Sequence, residues 1–146
     1  MAPAHYRAVL VKRIYLVEWT AQVDLATAKA VVGTLPSIRA RAGVPLLLVI
    51  MPQDNLTPPT SDARDYILKA TKEMLESCET IHNIQAGQSI GSMMYRSVIR
   101  GMITFGGLRG KVYIHESLEK FCEWLGTADR ISATALRDEL EAPARS

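Results

Sequence analysis

The sequence predicts an α/β domain: a mixed five-stranded sheet with helices packed on it, in the order β-β-α-β-α-β-α-β-α, with a further C-terminal helix. Three observations carry this. Residues 44–51, VPLLLVIM, form an apolar run with no polar alternation, the pattern of a strand covered on both faces. Strand-length apolar runs alternate with stretches of helical periodicity, the signature of parallel crossovers. Breakers stand at the joins: Gly43, the prolines between Pro52 and Pro59, Gly87, and Gly106 with Gly107.

Residues 6–20, YRAVLVKRIYLVEWT, are rich in β-branched and aromatic side chains. They divide into strands at about 6–11 and 14–20, turning at Lys12 and Arg13, without an Asn-Gly or Asp-Gly signature. On the second strand Ile14, Leu16, Glu18 and Thr20 share one face; Tyr15, Val17 and Trp19 share the other. Asp24 is placed to cap a helix whose stripe is Leu25, Ala28, Val32, Leu35 and Ile38. Gly33 weakens that helix, Pro36 is expected to kink or divide it, and Gly43 ends it. The central strand follows, with Pro45 at its first residue because proline has no donor for the ladder.

After the 52–59 loop, Thr57 or Thr60 can cap a helix over 62–77, with Tyr66, Ile67, Ala70, Met74 and Leu75 inward. Residues 78–85, CETIHNIQ, read as a fourth strand. Gly87 ends it, and Ser89 caps a helix over 90–105 with a stripe of Ile90, Met94, Val98, Met102 and Phe105. Residues 111–115 form a short strand. Residues 117–125 form an amphipathic helix with Leu118, Phe121, Cys122 and Leu125 inward. A more polar helix spans about 128–140, and the tail 141–146 is expected to fray. The chain is thus read as an α/β domain over 1–126 and a C-terminal helix with its tail over 127–146.

A chain of 146 residues, 48% hydrophobic and 22% charged, suits one core. A net charge of +2 implies no strong steering toward nucleic acid or an anionic membrane. Cys78 and Cys122 lie far apart without a C-x-x-C pattern, so neither a disulfide framework nor a zinc site is expected, and a cytoplasmic setting fits. The opening residues are too often interrupted by charge for a signal peptide, and no apolar run reaches the length of a membrane span.

In open α/β sheets, ligands and partners meet the carboxyl ends of the strands. The loop 52–62 is therefore the expected partner-binding element, with Asp54, Asn55, Thr57, Thr60 and Ser61 as its candidate residues. Thr57, Thr60 and Ser61 are either phospho-acceptors or helix caps. Arg96, Arg100 and Arg109, with Lys111, flank the glycines of RGMITFGGLRGK and are possible anion contacts, although no phosphate-loop spacing is present. The competing reading of Gly106-Gly107 is a C-cap.

His5, His82 and His115 fall on three predicted strands without ligand spacing, so no metal site is expected. No G-x-S-x-G elbow occurs, and Cys78 and Cys122 lack a basic activator. Glu18 is either a buried acid or a strand-end residue. Met93, Met94, Tyr95, Met102 and Phe105 are core or a partner surface.

The element order, with the closing module RSVIRGMITFGG…KVYIHESLEKFCEWL, resembles the STAS-like α/β domains, which include the anti-sigma-factor antagonists of bacterial sporulation. The matching residues are Val112, Ile114, Ser117, Leu118, Glu119, Trp124 and Leu125, within a likeness over roughly residues 6–125. The resemblance implies a non-enzymatic bacterial regulatory or scaffolding module acting through protein contacts. In those antagonists a helix-start serine in an Asp-Ser-Ser/Ala-Gly setting is phosphorylated; the stretch MPQDNLTPPTSDARDY departs from it, being longer, proline-bearing and without Ser-Gly.

The expectation is thus a regulator with a protein partner and no cofactor, forming a homo-oligomer, most simply a homodimer. An alternative is a small-molecule or lipid-binding domain with an apolar cleft beside the 93–105 helix. A third is a small enzyme whose acid is Glu18 or Asp54.

Overall fold

The computed structural model describes residues 5–53, 56–85 and 90–145. Strands β1 (Tyr6–Val11) and β2 (Ile14–Trp19) pair antiparallel, from Tyr6 opposite Trp19 to Val11 opposite Ile14. Lys12 makes the tight turn with φ 56, a left-handed backbone that non-glycine residues adopt at a cost of about 1–2 kcal/mol. Strands β3 (Leu46–Pro52), β4 (Cys78–Ile84) and β5 (Val112–His115) then add in parallel, and the sheet order is β1-β2-β3-β4-β5. The element order expected from sequence is the order observed.

That sequential order has a consequence for the layers. Right-handed crossovers that always step in one direction put every crossover helix on the same face. Helices α1 (Leu25–Ala42), α2 (Ser61–Met74) and α3 (Ile90–Phe105) cover that face, and Val17, Leu48, Ile50, Leu35, Met74 and Ile99 share one core there. The opposite face carries Ile14, Leu16, Leu47 and Val49. It is closed by α4 (Leu118–Trp124) and α5 (Ala133–Arg145), through Leu118, Phe121, Leu136 and Leu140. The C-terminal helix therefore folds back across the sheet.

The local signals act as their chemistry requires. Asp24 accepts the Thr27 N–H at 2.8 Å to cap α1, and Gly43, at φ 77, ends it with its N–H on the Arg39 carbonyl. Ser117 caps α4 through Lys120 N at 3.1 Å, and Ser132 serves α5 through Ala135 N at 3.0 Å. Helix α1 departs from expectation by running unbroken through Pro36. Pro36 is exposed, so its ring and missing donor fall on the solvent side of the helix.

The central strand starts later than the apolar run does. Val44 is 45% exposed and Pro45 stands outside the ladder. Helix α5 extends to Arg145. Leu140, 4% exposed, packs that helix against the core. The last segment is also divided, into a 3-10 turn at Thr127–Asp129 and α5 proper. The cap expected at Ser89 and the breaker Gly87 lie outside the described residues, as do the side chains of the stripe Ile90, Met94, Val98, Met102 and Phe105.

At the β3–β4 junction the register shifts, so Leu46 faces Cys78 while Leu47 faces Thr80. Glu79 is the extra residue, and it is exposed. It meets Arg13, whose Nη1 donates to Glu79 Oε2 at 2.6 Å while Nε and Nη2 donate to both carboxylate oxygens of Asp129 at 2.9 and 2.7 Å. The guanidinium holds the Asp129 carboxyl below the usual carboxylate range. This clamp joins the hairpin turn, the β4 bulge and the entry to α5. The Arg13→Ala variant is expected to lose about 2 kcal/mol, since charge-assisted bonds are strong but this site is partly solvated. A shift in the urea midpoint at unchanged slope measures it.

Candidate functional site

The parallel strands β2, β3 and β4 end at one pole, and the loops leaving them are tied together. Gln53 N donates to the Trp19 carbonyl at 2.9 Å, and Thr60 N to the Val23 carbonyl at 3.0 Å. Between these, Gln22 Nε2 donates to the Pro58 carbonyl at 2.9 Å. The β3–α2 loop is thus stitched along the loop leaving β2. Pro58 and Pro59 remove backbone freedom that would otherwise oppose this ordering. Trp19, Val23, Ile50, Leu56, Pro58 and Pro59 line a cavity of about 50 Å3 beneath the loop. That is far below the roughly 300 Å3 at which small-molecule sites begin. It is a packing gap under a stiff crest, and it lies away from the cleft expected beside the 93–105 helix.

The residues expected on this loop take different places. Asp54 and Asn55 lie outside the described residues. Thr57 and Ser61 are exposed. Thr60 is the N-cap of α2: its Oγ accepts the Ala63 N–H at 3.4 Å and donates to Asp62 Oδ1 at 2.5 Å. Asp62 itself accepts the Ala63 N–H at 2.8 Å. The Thr60 hydroxyl is therefore engaged at the helix start, while Thr57 and Ser61 face water.

The three arginines also differ. Arg96 Nη2 donates to the Gln85 carbonyl at 2.6 Å, fastening α3 to the end of β4. Arg100 and Arg109 are exposed. Glu18 sits near the end of β2 and is 13% exposed, with Oε1 accepting Arg7 Nε across the hairpin at 2.6 Å. The strand it belongs to is interior to the sheet, so its acid is matched by a cross-strand cation rather than released at an edge. Burial pushes the Cys78 thiol up to about 12 and raises that of Cys122, which leaves both as poor nucleophiles.

One cluster was not foreseen from the sequence. His82 on β4 and His115 on β5 bring Nδ1 and Nε2 to 2.9 Å, and Thr80 Oγ1 lies 2.7 Å from His82 Nε2. Tyr113 stacks on the His82 ring, and Phe121 and Trp124 of α4 close over it with centroids at 4.8 and 4.5 Å. His82 is fully buried. Burial, reinforced by the neighbouring His115, holds its pKa down to about 3; burial lowers His115 as well. Both imidazoles are thus neutral at physiological pH. The signal was present only as parity: 82 and 115 share a face with 80 and 113 once β4 and β5 pair, and the chain gives no local cue to that pairing. Among the described residues, no group of three or more His, Cys, Asp or Glu side chains is placed to hold a metal ion. No described helix is long and apolar enough to cross a membrane.

No known protein family matches the sequence, and no curated protein matches it either. In three dimensions the chain is similar to a solved structure titled as the Bacillus cell fate determinant SpoIIAA in the phosphorylated form. The TM-score is 0.46 and the identity 11%, over 82% of this chain and 97% of that one.

Proposed function

We propose that this protein is a non-enzymatic regulatory or scaffolding module that binds another protein through the loop 52–62 and the adjoining surfaces of α1 and α2. The observation that carries this reading is the stitched, proline-stiffened crest at the carboxyl end of the central strand. Its residues 53, 58 and 60 are already held by hydrogen bonds before binding, so fixing them costs little conformational entropy when a partner docks. Its exposed residues Pro52, Gln53, Thr57 and Ser61 offer hydrogen-bonding and apolar contact together. Thr57 and Ser61 are its candidate modification points, Asp54 and Asn55 its candidate polar contacts, and Arg100 and Arg109 candidate anion contacts elsewhere on the surface. A second copy of this chain is one admissible partner.

The test is site-specific photo-crosslinking in the native cell. A benzophenone side chain placed at Thr57 should capture a discrete protein partner, and one placed at Lys12, on the opposite pole, should not. Equal capture from both positions, or capture from Lys12 alone, would overturn the reading.

A further inference from the structure

On the face covered by α4 and α5, the ends of β2, β3 and β4 open into a cavity of about 480 Å3. That volume falls within the roughly 300–1,000 Å3 of small-molecule sites. It lies outside the carboxyl ends of parallel strands, where open α/β sheets take their ligands. The floor is apolar: Met51, Ile84 and Leu118, all buried. The walls are polar, with Glu18 from β2, Gln53 at the exit of β3, and Arg137 from α5.

Both charged groups are oriented but far from saturated. Among the described residues Glu18 accepts one hydrogen bond, from Arg7 at 2.6 Å, and an ionised carboxylate has room for about four. Arg137 is ion-paired with Glu119, Nη2 to Oε1 at 2.6 Å, and its guanidinium carries about five N–H donors. With Arg7 behind Glu18 and Glu119 beside Arg137, the site holds both signs in balance. A simple cation meets the Arg137 guanidinium there, and a simple anion meets the Glu18 carboxylate. A molecule carrying both charges engages each wall with its opposite.

We propose that this cavity binds a small zwitterion of the α-amino-acid class with an aliphatic side chain. Its ammonium lies on Glu18, its carboxylate on Arg137, and its side chain over Met51, Ile84 and Leu118. This is independent of the protein-partner reading, although Gln53 places the site at the root of the crest.

The experiment titrates L-leucine into isotope-labelled full-length protein and follows backbone amide shifts. Two analogues each lack one charge: isoamylamine and 4-methylpentanoate. Saturable shifts are expected around residues 18, 53, 84 and 118, with each analogue at least about tenfold weaker than leucine. Arg137→Met, on an exposed helix face, should weaken leucine about tenfold and leave isoamylamine unchanged. Absence of saturation, leucine binding no tighter than 4-methylpentanoate, or shifts centred away from these residues would each overturn the assignment.

Discussion

Between pH 6.5 and pH 4 the protein is expected to lose several kcal/mol of stability, an acid sensitivity centred on His82. Its folded pKa is about 3, against an ordinary value of 6.5. Below pH 6.5 the unfolded chain takes up a proton that the folded state refuses, so stability rises with pH across this window and falls on acidification. The contribution is complete above pH 6.5. It is lost progressively down to about pH 3, where the folded state also protonates, with about 5 kcal/mol as the upper limit. His115, lowered in the same direction by burial, adds to the slope. The Asp129 carboxyl, depressed by Arg13, enters only at lower pH, where its stabilisation disappears as it protonates. Urea titrations at half-unit pH steps measure the effect. The His82→Gln variant should be flatter between pH 6.5 and 4 than the parent; a parent curve already flat there would remove His82 from the account.

Leu136→Ala is expected to cost about 2–5 kcal/mol, as much as a deletion in the central strand. Leu136 is fully buried on α5 against the apolar face that holds Ile14, Leu16, Leu47 and Val49. The prediction is specific about cooperativity. If α5 is part of this core, the variant unfolds in one transition with a lowered midpoint and an unchanged urea slope. A separate early transition would mark residues 127–146 as a unit of their own. The same measurement on Leu35→Ala, fully buried on the other face, gives the reference value.

Much of the fold is legible in the chain because its signals are local. The Lys12-Arg13 turn, the Asp24 cap, the Gly43 stop and the unalternated β3 run each act within a few residues of themselves. Where the outcome depended on distant pairing, local pattern was silent. Arg13 reads as a turn residue, yet its partner Asp129 is 116 positions away. His82 and His115 look unrelated until strand order makes them neighbours. Glu79 interrupts the alternation of β4, and only the β3 register explains why Cys78 and Ile81 face the same helices. Pro36 misled in the other direction: the sequence marks a helix breaker, but not that it lies on the solvent side. At the candidate site, a cap at Thr57 or Thr60 was readable from the chain and Thr60 is the one that serves, whereas the pairing of Glu18 with Arg7 required the hairpin register.

The division of labour between the two sheet faces bears on how the chain is made. The crossover helices that cover one face are synthesised together with the strands they bridge. The other face waits for residues 118–140, which are synthesised after all five strands. At about 5–20 residues per second, Ile14, Leu16, Leu47 and Val49 stay without their cover for several seconds after their own strands have emerged. During that interval the nascent protein presents a broad oily surface of its own, and holding chaperones should find it there.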